Sequence, residues 1–173
     1  MRRALSPTAF IVLGLLRVTG PCSPYDLKAR ISASVGNFWT VAHSHLYAEP
    51  DRLVADGLAS MEQERGGRRR KTYAITPAGE AALDAWLATP RPALAEIRNP
   101  ALLQLFFGAD PAVIAREQLP LHEAKLAEYE ALAAAAADAP PHAQPGPRIA
   151  LEAGLRIERE WVRYWGELRD PAD

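Results

Sequence analysis

Five cations in seven residues, Arg65, Arg68, Arg69, Arg70 and Lys71, surround the glycine pair Gly66-Gly67. Guanidinium and ammonium groups at a tight turn can approach a polyanion backbone closely, so the cluster suits phosphate contact; an isolated basic run can also do no more than solvate a turn. A second set, His43, Ser44, His45 and Tyr47, offers hydrogen-bond donors and acceptors of the kind that read base edges. His43 and His45 stand two apart, about 200° around a helix, so they cannot share one metal ion, and no metal site or cofactor is expected. Tyr25 and Lys28 are candidate phosphate donors, with packing an equal alternative for Tyr25. Trp39, Trp86, Trp161 and Trp165 suit either core packing or stacking against a flat aromatic effector, with Trp161 and Trp165 the candidate effector residues. No nucleophile with an orienting base, phosphate-binding glycine loop or supported carboxylate pair is present, so no catalytic residue is assigned and an enzyme is not expected.

The charge is divided unequally. Residues 1–80 carry eleven basic and seven acidic side chains, whereas the remainder carries nine and fourteen. A basic first half and an acidic second half imply that the first meets a polyanion while the second has another task. The longest apolar run, Ala9 to Leu16, is too short to span a bilayer, and no small-residue cleavage site follows Met1-Arg2-Arg3, so a cytoplasmic protein is expected. The single cysteine, Cys22, excludes an intrachain disulfide.

The punctuation of the chain supplies the elements that must hold these residues. Ser6-Pro7 and Ser23-Pro24 each read as an N-cap followed by proline at the first helical position. The first opens an almost wholly apolar helix and the second a short amphipathic one. Thr40 is the expected N-cap of a third helix that stops at Gly57. Two strand-like runs, from Leu58 and from Lys71 to Ile75, flank the glycine turn, and Thr76-Pro77 opens a fourth helix. Pro90-Arg91-Pro92 reads as a linker. Beyond it, Pro100 to Phe107, Pro111 to Ala137 and Ile149 to Arg169 read as helices, with a proline-rich loop at 138–147. Leu151, Leu155, Glu158, Val162, Trp165 and Leu168 fall near one face of the last helix, and all of these but Glu158 form the expected dimerisation stripe.

The chain is therefore expected to be mostly α with a small β-hairpin: a winged helix-turn-helix DNA-binding domain at 1–89, then an all-helical dimerisation domain at 90–173. Asn37-Phe38-Trp39, Ser44-His45-Leu46-Tyr47, Arg52 to Leu58 and Arg68 to Gly79 resemble the PadR-type transcriptional regulators, and Glu96 to Phe107 with Glu160 to Trp165 resembles their longer C-terminal subtype. The resemblance implies a homodimer in which His43, Ser44, His45 and Tyr47 face double-stranded DNA, with the arginine turn as the wing. Within that reading, Thr40 joins the DNA-facing residues, and the expected function is repression at a pseudo-palindromic operator. The alternatives are a winged-helix protein-interaction module and a sensor for a small aromatic effector. Pro50 departs from the pattern: a proline inside a helix removes one hydrogen bond, and a tolerated kink is expected there.

Overall fold

In a computed structural model, residues 4–64, 69–137 and 145–170 are described, without the side chains of His43 and Ala137. The chain divides into two compact units, Met1–Ala93 and Leu94–Asp173. The turn Arg65 to Arg68 and most of the expected 138–147 loop lie outside the described residues.

The first unit is built around helix α1 (Pro7–Thr19), whose Ala9, Val12 and Leu13 are completely buried. Ser6 caps it by accepting from the Ala9 amide at 3.1 Å, as the Ser-Pro signal predicts. Helix α2 (Pro24–Ser32) begins with a full capping box in which Ser23 and Asp26 each accept from the other's backbone amide. A 3-10 turn, Val35–Asn37, leads towards helix α3 (His43–Ala55). Leu27, Leu53, Leu58, Tyr73 and Leu83 close over α1, and Phe10 stacks on Trp86 at 4.7 Å between ring centres. Cys22 is buried in the same core, and burial pushes its thiol pKa up, which keeps it in the unreactive protonated form.

The expected N-cap of α3 is corrected: Ala42, not Thr40, occupies that position and supplies no side-chain hydrogen bond. Thr40 and Val41 are β-branched and stay outside the helix, where their stiff side chains lose no rotamer freedom against a preceding turn. The helix then continues without interruption through Pro50, whose ring is fully buried. Proline cannot bond back to the Leu46 carbonyl, but its ring fills core space that a polar residue could not.

Strands β1 (Ala59–Gln63) and β2 (Lys71–Ile75) pair antiparallel, with Met61 opposite Tyr73 and Gln63 opposite Lys71. Tyr73 extends the ribbon by exchanging two backbone hydrogen bonds with Cys22, at 2.9 and 3.0 Å, so the segment before α2 acts as a third, one-residue strand. Helix α4 (Pro77–Leu87) starts under the Thr76 cap and passes so close to the ribbon that a Cβ on Gly79 would lie 2.1 Å from the Leu58 carbonyl oxygen.

The second unit contains α5 (Pro100–Phe106), α6 (Pro111–Ala137) and α7 (Pro145–Arg169). The last helix starts four residues before the expected Ile149, because prolines at 145 and 147 fall in a first turn whose amides need no intrahelical partner. His122 stacks on Trp161 at 5.5 Å, while Tyr129 packs where a Cβ on Gly154 would lie, so α6 and α7 run antiparallel. Leu155 and Trp165 are buried within this unit; Trp165 sits in a core with Ala101, Ala115 and Leu119, and Val162 and Leu168 are half-buried against it. Of the dimerisation stripe expected at Leu151, Leu155, Val162, Trp165 and Leu168, Leu155 and Trp165 are thus buried against their own chain.

Gly79→Ala is expected to lower the stability of the first unit by about 1–3 kcal/mol, since the new methyl group meets backbone that cannot rotate aside. An unchanged midpoint in urea unfolding would show that α4 shifts freely.

Candidate nucleic-acid interface

Helix α3 turns Leu46, Glu49, Pro50 and Leu53 inward and leaves Ser44, His45 and Tyr47 exposed. Those three were expected to read bases; Ser44 and Tyr47 are three apart and share one face of the helix, whereas His45 lies on another exposed side. The side chain of His43 lies outside the described residues. Ala42 offers no capping side chain; the His45 amide bonds to the Ala42 carbonyl at 3.0 Å, and the helix dipole favours negative charge at that end. Lys28 and Thr40 line one shallow groove together with Trp39 and Leu46, while Tyr25 is 74% exposed on α2.

Glu49 is the buried acid of α3. It accepts from the Ser6 hydroxyl at 3.0 Å and pairs with Arg52 at 3.5 Å, which ties the start of α1 to α3. Nothing in the spacing of Ser6 and Glu49, 43 residues apart, announces this link.

Of the wing cations, Arg65 and Arg68 lie outside the described residues. Arg69 is exposed and has φ 49°, in the left-handed region. Arg70 and Lys71 are ion-paired within the unit. Arg70 Nη2 lies 2.6 Å from Asp26 Oδ2, and Lys71 Nζ lies 3.0 Å from Asp51 Oδ1. The Tyr73 hydroxyl donates to the same Asp51 oxygen at 2.6 Å. Burial and the Asp51 carboxylate raise the Tyr73 phenol pKa, so it remains a donor. Hydrogen bonds from Tyr73 and Lys71 in turn lower the pKa of Asp51. Sequence reasoning missed both acids. Asp26 had a readable signal in the S-x-x-D spacing of Ser23 to Asp26, whereas Asp51 had none.

In the second unit Trp165 is fully buried, and its indole N–H has no hydrogen-bond partner among the described residues. Trp161 is half-buried, stacked on Trp165 at 5.9 Å. His122 Nδ1 lies 2.6 Å from Glu158 Oε2, a half-buried polar pair between α6 and α7. Glu158 was visible in the sequence as an acid on the apolar face of its helix, and that position was the signal for such a partner.

Three helices, a two-stranded wing and an outward-facing third helix define a winged-helix DNA-binding regulator. Residues 12–85 match the transcriptional regulator PadR-like family, and residues 97–170 match the family described as virulence activator alpha C-term. Over its first unit the chain is thus similar to the PadR-like transcriptional regulators. It is 27% identical to the negative transcriptional regulator PadR of Bacillus subtilis over 168 residues, covering 90% of this chain and 91% of that one. The crystal structure of Bacillus subtilis PadR in complex with operator DNA superposes with a TM-score of 0.82 at 24% identity, over 96% of this chain and 99% of that one. The structure of the same protein in complex with p-coumaric acid gives 0.76 at 23% identity, over 96% and 97%. Among the described residues, no helix is long and apolar enough to cross a membrane.

Hydrogen bonds from the Ser23 amide and hydroxyl, then Arg70, lower the Asp26 pKa from 3.8 to about 2. A folded-state pKa below the unfolded value means that these bonds stabilise the unit above about pH 4 and are lost as pH falls towards 2. Asp26→Asn is therefore expected to flatten the fall in stability across that window. Parallel pH profiles of the urea midpoint for the two proteins would exclude Asp26 as a contributor.

Proposed function

We propose that the protein is a homodimeric repressor that binds a pseudo-palindromic operator, with residues 1–89 as DNA-binding domain and residues 90–173 as helical dimerisation domain. The observation that carries this reading is the exposed set Ser44, His45 and Tyr47 at the start of α3, in a unit that also carries the basic wing. Base edges are met by side chains near the N-terminus of a recognition helix, while the wing supplies phosphate contacts. The naming of its Bacillus subtilis relative as a negative regulator supports repression. Tyr25, Lys28 and Thr40 are assigned to the phosphate-contacting flank, with Arg65, Arg68, Arg69, Arg70 and Lys71 as the wing.

The dimer surface is assigned to apolar side chains that the second unit leaves exposed, notably Phe106 on α5 and Phe107 just after it, Leu121 on α6, and Ile149 and Ile157 on α7. Leu151, Val162 and Leu168 are at most its margin.

Selection of bound sites from a random DNA pool, on protein whose mass is measured by light scattering, is expected to return an inverted repeat and a dimer mass. In the same assay Ser44→Ala and His45→Ala should shift base preference more than overall affinity. Salt-sensitive binding with no enriched site would sink the operator reading and leave the winged-helix interaction module in its place.

A small aromatic acid is proposed as effector, on the strength of the relative solved with p-coumaric acid and of the half-buried Trp161 beside Trp165. Titration with p-coumaric acid is expected to change tryptophan fluorescence and release DNA. A flat titration accompanied by undisturbed DNA binding would remove this acid as effector.

A further inference from the structure

The two cations at the start of β2 are engaged by carboxylates of the helices they lie against. Arg70 donates to Asp26 on α2, and Lys71 donates to both oxygens of Asp51 on α3, at 3.0 and 3.1 Å. Neither cation is sealed in: the Arg70 side chain is 54% exposed and that of Lys71 39%. The acids, by contrast, have other anchors. Asp26 Oδ2 also accepts from the Ser23 amide at 3.0 Å and hydroxyl at 2.7 Å, and Asp51 Oδ1 accepts from Tyr73. The acids are thus fixed, while the cations sit on long stems that can turn.

A phosphate oxygen presents to guanidinium or ammonium the same negative acceptor as a carboxylate oxygen. We propose that Asp26 and Asp51 are built-in competitors of DNA phosphate, each occupying a wing cation in the free protein and each remaining as a fixed negative charge when that cation turns to DNA. The inference rests on the DNA reading above. Arg70 and Lys71 then each neutralise less than one phosphate charge. Binding to DNA of arbitrary sequence draws nearly all its energy from such contacts, so these two acids hold it down. A regulator that must find few sites among very many gains selectivity when the general term is small.

The test uses the full chain with Asp26→Asn, Asp51→Asn and the double variant, each checked for folding by circular dichroism. Asparagine keeps one acceptor oxygen for Ser23 or Tyr73, loses the charge and turns the other acceptor into a donor. Affinity for a random-sequence duplex is measured across a salt series. Each single variant is expected to bind roughly two- to fivefold more tightly. The plot of log Kd against log salt should steepen by up to about 0.9 for each acid removed. Adding Arg70→Ala to Asp26→Asn should abolish that variant's gain. Folded variants that bind no more tightly than wild type overturn the proposal and make the acids scaffolding alone. A gain that survives Arg70→Ala overturns it as well. Wild-type protein that binds no duplex at any salt removes the DNA reading and this inference with it, a result distinct from variants that match a binding wild type.

Discussion

Tyr73 is where the winged-helix unit is held together. Its backbone joins the wing strand to Cys22, its ring lies 1% exposed in the core, and its hydroxyl reaches Asp51 on α3. A phenol is suited to this position because it is apolar over its ring and carries one donor at the tip. Its buried hydroxyl would leave a polar group unsatisfied without a partner, and the Asp51 carboxylate supplies one from the helix beside it. The wing strand is therefore tied to the body of the unit through the backbone of Tyr73 at Cys22 and through its side chain at Asp51 on α3.

Much of this arrangement was legible in the residues. Ser-Pro and Thr-Pro starts located three helices because proline's missing amide costs nothing in a first turn. Gly57, with φ +74°, ended α3 where glycine was expected. What could not be read were choices decided by contact. The sequence offers Thr40 as a better cap than Ala42, but the boundary falls two residues later, leaving β-branched Thr40 and Val41 outside the helix. Gly79 looked like one more residue of a helix start, and only its approach to the Leu58 carbonyl explains why no side chain fits there.

The candidate interface was legible in its composition and not in its pairing. Five cations near a glycine turn are countable in any sequence. That Arg70 lies against Asp26, 44 residues away, and Lys71 against Asp51, 20 away, depends on how the ribbon folds back over α2 and α3. The helical unit taught the same lesson in apolar terms. A stripe on α7 identified a face that must be covered, but periodicity does not name the cover, and α6 of the same chain buried Leu155. Glu158 on that face is satisfied only because His122 arrives from the antiparallel neighbour.

The convergence of three donors on one oxygen of Asp26 separates two tasks that would otherwise be linked. Ser23 holds the start of α2 through its amide and hydroxyl, and Arg70 contributes a third bond from outside the helix. When Arg70 leaves, the cap keeps its own two bonds and α2 keeps its first turn. The Arg70 bond is therefore a detachable fastening beside the Tyr73–Cys22 backbone pair, and its release carries no requirement that α2 unravel.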